Sequence, residues 1–233
     1  MIKRLEILFE SGKKIYYNFE FSDQGTIRDI GLKKIIQMDW ISLDYCKCTH
    51  CTIPSKPYAI CPVAAILAQY AVELAEYPSY LEVDVKIYES DRTTYIPKMP
   101  MQKIVGELVR LAVFHTHCPI GVNLKPTMKN LRPFPDNDEI IRAFVTFFAI
   151  CGVSEDIDLT PEQEAFVDSL HDLFSHLSRR LQSFGQGDAH LNGVIIVDTI
   201  SMMFRLSSSE LLRQTLEEIR EGILPYSSNP TED

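Results

Sequence analysis

The chain has 233 residues, 45% of them hydrophobic and 24% charged, enough for one large domain, or a domain with a subdomain, around a sizeable core. Its net charge of −9 argues against nonspecific nucleic-acid binding, which needs lysine and arginine to neutralise phosphates. No apolar run approaches the roughly 20 residues that span a bilayer, and the N-terminus lacks a signal-peptide apolar region, so the expectation is a cytoplasmic protein with reduced thiols and no membrane partner.

Residues 3–10 and 14–22 read as a β-hairpin. Leu5, Ile7 and Phe9 alternate with Arg4, Glu6 and Leu8, and Ile15, Tyr17, Phe19 and Phe21 alternate with Tyr16, Asn18 and Glu20. Period two puts each set on one face. Ser11-Gly12-Lys13 is the turn, and Asp23-Gln24-Gly25 closes the second strand. Another short strand and a turn are expected in 26–45, ahead of Asp39-Trp40; the single tryptophan reads as core packing. Pro54 and Pro57 keep the 46–61 stretch irregular. Pro62 suits the first position of a helix to about Tyr77, with Val63, Leu67, Tyr70 and Leu74 on its buried face.

Tyr80–Tyr88 alternates cleanly: Leu81, Val83, Val85 and Ile87 against Glu82, Asp84 and Lys86, as in an antiparallel sheet with one solvated face. A turn at Glu89-Ser90-Asp91 leads to a partner strand, Arg92–Ile96, which Pro97 and Pro100 break off. A helix is expected over Met101–His117, with Cys118 at its end, followed by a loop over 118–136 containing four prolines. Further helices are expected over Asn137–Cys151 and, from the capping box Thr160-Pro161-Glu162-Gln163, to about Phe184 with a Phe166/Leu170/Leu173/Leu177/Leu181 stripe. Gly185-Gln186-Gly187 reads as a hinge. A buried helix capped by Asp188 is expected to about Leu206, then an amphipathic helix over Ser209–Gly222. The fold class is α+β: an antiparallel sheet from the N-terminal half, packed by helices, with a helical C-terminal part. The expected division is 1–152, a cysteine-containing α+β domain, 153–226, helices packed on it, and 227–233, a frayed tail.

Four of the six cysteines fall within sixteen residues, as Cys46-x-Cys48-x-x-Cys51 and Cys61-Pro62, and a fifth is in His115-Thr116-His117-Cys118-Pro119. Zinc needs three or four soft ligands, usually including one short-range pair, and Cys48-x-x-Cys51 is such a pair. Cys61 precedes a helix N-terminus, where positive charge favours a thiolate. With Cys118, these make a closed structural zinc site; Cys46, His50, His115 and His117 are competing ligands. A redox dithiol fits less well, because its CxxC opens a helix and here Pro54 and Pro57 follow. The remaining alternative is ordinary buried thiols, the reading that also suits Cys151. His115 shares a helical face with Leu108 and Leu111, the setting of a satisfied core histidine.

Cys48-x-x-Cys51…Cys61-Pro62, the Glu82-x-Asp84-x-Lys86 strand, Cys118-Pro119…Leu124-Lys125-Pro126-x-Met128, Arg132-x-Phe134-Pro135 and Asp188-Ala189-x-x-Asn192 together resemble an uncharacterised bacterial family. It is a domain of unknown function occurring as stand-alone cytosolic proteins. The resemblance covers most of the chain and implies Cys48, Cys51, Cys61 and Cys118 as the shared set, with Cys46 extra. His115-Thr116-His117 departs from the small residues associated with that position, which leaves open whether a histidine displaces a cysteine. The resemblance brings no activity.

Glu164, Asp168 and His171, flanked by Asp172 and His176, lie opposite the leucine stripe. Residues 153–178 hold seven acids and no lysine or arginine, so a solvated acidic face accounts for them better than a metal site. Asp198, in a helix expected to be buried, needs a partner; Arg179, Arg180 and Arg205 are candidates. Arg92, Lys125, Lys129 and Arg132 can converge near the proline-rich loop as an anion site. A glycine-rich phosphate loop, HExxH, GxSxG and the kinase set are missing. The functional expectation is a non-catalytic protein with a structural zinc acting through an unidentified protein partner. The alternative is a metal- or thiol-dependent enzyme using a pocket near the cysteines and the 119–136 loop.

Overall fold

Four strands follow from the alternating segments: β1 (Arg4–Leu8), β2 (Lys14–Asn18), β3 (Glu82–Tyr88) and β4 (Thr93–Pro100). The computed structural model describes residues 2–28, 38–57, 59–70, 72–74, 76–152, 159–182 and 188–227. The sheet order is β2-β1-β3-β4 and every pairing is antiparallel. Leu5 pairs with Tyr17 and Ile87, and Ile7 with Ile15 and Val85, so one face is continuously apolar. On the other face Glu6 is nonetheless buried. Tyr88 Oη donates to it at 2.7 Å and Lys14 pairs with it, and that hydroxyl bond holds its carboxyl below the usual range.

β4 does not stop at Ile96. It runs through Pro97 to Pro100, because it is the edge strand and its outward N–H positions need no partner. A register shift between Val83 and Val85 accompanies a positive φ of 53° at Lys98. Of the strand and turn expected in 26–45, a bridge between Phe21 and Ile27 and two 3-10 turns, Asp39–Ile41 and Leu43–Cys46, are observed; 29–37 lie outside the described residues.

The helices are α1 (Pro62–Tyr70), α2 (Met101–Phe114), the single turn α3 (Lys125–Met128), α4 (Asn137–Cys151), α5 (Pro161–Gln182) and α6 (Ala189–Ser227). Two are shorter than expected: α1 gives way to a 3-10 turn at Val72–Leu74, and α2 stops at Phe114, four residues before Cys118. α6 is one 39-residue helix where two were expected, since Ser207-Ser208-Ser209 contains neither glycine nor proline and serine costs a helix only a few tenths of a kcal/mol, about 0.5. Nor is α6 buried all round: Val194 is fully buried, whereas Leu206 is 82% exposed. α4 carries the full capping box between Asp136 and Glu139, and α5 the one between Thr160 and Gln163.

α5 and α6 share one apolar core with the sheet and α2: Leu170, Leu173 and Val194 belong to the same cluster as Leu5 and Leu108. α2 and α6 cross closely at Gly106 and Gly193. A Cβ on Gly193 would stand 2.8 Å from Val105 Cγ1 and 2.9 Å from the Gly106 nitrogen. Asp188 precedes α6, its carbonyl accepting from Asn192 N at 3.0 Å, and its carboxylate ties the helix start to the turn before β3, accepting from Ser79 N at 2.7 Å and Ser79 Oγ at 2.9 Å. The division expected near residue 152 falls in the α4–α5 connection, whose residues 153–158 lie outside the described residues, as do the hinge residues 185–187 and 228–233 of the expected tail. Among the described residues no helix is long and apolar enough to cross a membrane.

Candidate metal centre

The cysteine loop has almost no regular structure, so its shape comes from its neck and its cross-links. At the neck, Leu43 N donates to Ala59 O at 2.8 Å and Cys61 N to Ile41 O at 2.9 Å, around a bridge between Ser42 and Ile60. Inside it, Lys47 Nζ reaches Ile53 O at 2.7 Å, Ser55 Oγ donates to Asp44 Oδ1 at 2.7 Å, and Cys51 N donates to Cys48 O at 3.1 Å, folding the CxxC into a turn. Cys61 sits one residue before α1, its carbonyl accepting the helix's Ala65 N–H at 2.9 Å. Its thiol therefore stands at the positive helix end.

Cys118 comes from the far end of α2. Past Phe114 the chain turns back, Thr116 Oγ1 donating to Ala112 O at 2.8 Å and Cys118 N to Thr116 Oγ1 at 3.3 Å. Gly121 allows this reversal: a Cβ there would lie 2.1 Å from Val113 O. The backbone N–H groups of Gly121 and Ile120 point at the Cys118 sulfur.

These segments enclose one small cavity, lined by Cys48, Cys51, Cys61 and Cys118 and closed by Leu173, Leu177 and Arg180 of α5. Its volume is about 20 Å³, room for roughly one atom the size of a water oxygen. Burial pushes the Cys48 thiol up to about 12, and repulsion from Cys61, Cys118, Cys51 and Asp172 adds to it. Burial raises Cys118 to about 11; the two N–H groups oppose the rise, and Cys61 and Cys51 add to it. Without a cation these two sulfurs are thiols at neutral pH; a divalent ion reverses that preference by binding the thiolates. All six cysteines are free thiols.

α5 contributes two further donors. Asp172 accepts from Thr49 N at 2.8 Å and Thr49 Oγ1 at 3.0 Å, tying the CxxC turn to the helix. His176 Nδ1 stands 2.9 Å from the Asp172 carbonyl and 3.2 Å from its Oδ1, which leaves Nε2 as the nitrogen available to a ligand. Donor atoms of Cys48, Asp172 and His176 lie within 4.8 Å of one another, so these three side chains can hold a metal ion. Among the described residues this is the group that meets that spacing; the four sulfurs are set more widely around the cavity. Arg180, buried, donates to Trp40 O and Ser42 O at 2.6 Å and to Leu43 O at 2.9 Å, clamping the start of the loop.

Asp172, His176 and Arg180 were not singled out as site residues from sequence. The i, i+4 pair Asp172-x-x-x-His176 is a ligand spacing on one helix face, and Arg180 continues the leucine stripe three residues after Leu177. Both signals were present. Arg180 is also not the partner of Asp198, which lies 2.9 Å from His171 Nδ1 and is part-buried between α5 and α6; the side chain of Arg205 is outside the described ones.

The alternative ligands sit elsewhere. Cys46 does not line the cavity, and His50 and His117 are exposed. His115 is buried, its Nδ1 2.9 Å from Gly25 O and its ring edge-on to Phe21. Burial lowers its pKa to about 4, opposed by the Gly25 bond and helped by the charge of Arg110, so it is a neutral core histidine at pH 7. The anion candidates do not converge; each meets partners of its own. Arg92 pairs with Glu89 at the β3–β4 turn, Lys125 Nζ donates to Thr26 Oγ1 at 3.0 Å, and Arg132 pairs with Glu139 and Asp136 at the α4 cap.

No curated protein and no solved structure matches the chain. The sequence profile of a domain of unknown function, DUF6901, matches residues 4–220, and the chain belongs to that family.

Proposed function

We propose that this DUF6901 protein carries a structural zinc ion on Cys48, Cys51, Cys61 and Cys118 and acts without catalysis, in the cytoplasm, through contact with a protein partner. One observation carries the reading. Four cysteines from three separated segments line a single cavity of atomic size, where ordinary buried thiols would be scattered through the core. The donors suit the ion: soft thiolates, two N–H groups aimed at one sulfur and a helix N-terminus at another. Bound there, zinc would draw the more widely set sulfurs together and so join the 46–61 loop to the start of α1 and to the turn after α2. Four thiolates close the coordination shell, which fits a staple and not a reaction.

Cys48, Asp172 and His176 support a second reading. Three ligands with mixed oxygen, nitrogen and sulfur donors leave a position open for substrate or water, the arrangement of a metal-dependent enzyme. A thiol nucleophile fits less well, because Cys48 and Cys118 hold their protons at neutral pH.

Zinc content of the purified protein separates the two. One equivalent, lost in Cys118→Ser and kept in His176→Ala, supports the closed thiolate site. Loss in His176→Ala with retention in Cys118→Ser overturns it in favour of the open site. A metal-free, freshly reduced wild type refutes both.

A further inference from the structure

A second cavity, sharing no lining residue with the cysteine site, opens between α2, α6 and the strap leading into α4. It is large, about 670 Å³, within the range of sites that take small organic molecules. Its floor is a stripe along α2. Lys103 stands at the mouth, with Glu107 one turn on and Arg110 two turns on, both buried. Arg110 Nη2 and Nε donate to the two Glu107 oxygens at 2.6 and 2.8 Å, while Nη1 has only a 3.4 Å contact with Met128 O. A buried ion pair costs more in desolvation than an apolar pair of the same volume, so its place under an open cleft needs another reason than stability.

The backbone around the cleft gives an independent sign. The non-glycine residues with positive φ among the described ones are Phe134, at 52°, and Lys98, at 53°. Phe134 lines the cleft, and Lys98 precedes Met99, which also lines it. Bulky residues occupy that region only when their surroundings force them, and such residues gather at ligand sites.

The charges lining the cleft balance in pairs. Arg110 is matched by Glu107 and Arg132 by Asp136. Asp138 lies in the first turn of α4, where the helix dipole offsets its charge. Lys103, exposed, has no ion-pair partner among the described residues. Asn137 apart, the remaining walls, from Met99, Phe134, Pro135, Ile140, Ile196 and Val197, are apolar. We propose that this cleft binds a small amphiphilic monocarboxylate, with its carboxylate at Lys103 above the Glu107–Arg110 pair and its apolar body against Phe134 and Val197. A single negative charge fits better than two, because Glu107, Asp136 and Asp138 also line the cleft.

The test uses four probes of one chain length, octanoate, octanol, octylamine and octyl phosphate, titrated into the full-length protein. Binding is followed by the methyl signals of Met99 and Ile140. Octanoate is expected to saturate both signals at millimolar concentration or below, with octylamine and octyl phosphate at least about tenfold weaker. Lys103→Met, which keeps the stem and removes the charge, is expected to weaken octanoate about tenfold and leave octanol unchanged. If Lys103→Met does not fold, Lys103→Gln serves in its place. The proposal is overturned if octanoate does not saturate the two signals, if octylamine or octyl phosphate binds as tightly, or if the charge-removing variant binds octanoate like wild type. None of these outcomes depends on zinc.

Discussion

His115 makes stability depend on pH in a window set by one residue. Burial holds its folded pKa at about 4 against 6.5 for the free side chain. A group with a lowered folded pKa of this kind is bound by more protons in the unfolded chain than in the folded one between those values. Its penalty is absent above pH 6.5 and grows as the pH falls toward 4. Across the whole window the difference is worth about 3 kcal/mol at 1.36 kcal/mol per pKa unit, of which about 2 kcal/mol has accrued by pH 5. For a chain of this size that is a melting-temperature loss of about 4–8 °C. His115→Gln keeps a donor for Gly25 O and cannot titrate. The assay is urea unfolding of wild type and variant at pH 7.5 and pH 5, with metal chelated in all four samples so that proton-driven metal release does not enter. At pH 7.5 the variant should be the weaker, because the fit against Phe21 is lost; at pH 5 the gap should shrink by about 2 kcal/mol. Carboxylates such as Glu6 and Asp136, whose pKa values are lowered, lose stability at more acidic pH and equally in both proteins. A gap that is the same at the two pH values would refute the argument, and would mean that His115 is protonated in the fold or hydrated.

Two structural substitutions follow from the same geometry. Arg180→Met leaves the carbonyls of Trp40, Ser42 and Leu43 without their buried donor and should cost about 3 kcal/mol or more, visible as a red shift of the single tryptophan's emission before global unfolding. Arg180→Lys should not rescue it, because one ammonium cannot span three carbonyls, and a lysine variant as stable as wild type would remove the clamp from the account. Gly193→Ala should raise the helix propensity of α6 yet destabilise by about 1–2 kcal/mol in chemical denaturation, since its methyl meets Val105 and the Gly106 backbone; a stabilised variant would show that α2 and α6 can separate freely.

Much of this was legible because periodicity reports which face of an element is buried. Leu5 and Ile7, Val83, Val85 and Ile87, and Leu170, Leu173, Leu177 and Leu181 all stand where period two or the helical stripe put them. Periodicity does not report what lies opposite a face. Glu6 alternates as a solvated residue and is buried by Tyr88 and Lys14, which reach it from neighbouring strands. The prolines of β4 look like a break until the strand is known to be an edge. The spacing of the cysteines marked them as candidate ligands, and four of them line one cavity, but Asp172 and His176 looked like part of an acidic face. Only the packing of α5 against a loop more than a hundred residues earlier shows that Asp172 meets Thr49.

That packing bears on what a metal would do. The 46–61 loop is already held on the α5 side, by Arg180 on the carbonyls at its start and by Asp172 on the CxxC turn, and its neck is pinned by the pairing of 41–43 with 59–61. On the side of Cys118 the described residues of the loop have no comparable tie; what faces the turn after α2 is the sulfur-lined cavity. An ion bound there would therefore join segments that the protein's own hydrogen bonds leave separate, and the rest of the core would not depend on it. The consequence is a local role: loss of metal should free Cys48 and Cys51 to reagents and loosen the loop against Cys118. The sheet and the α2–α6 crossing, which share no residue with the cavity, should stay folded.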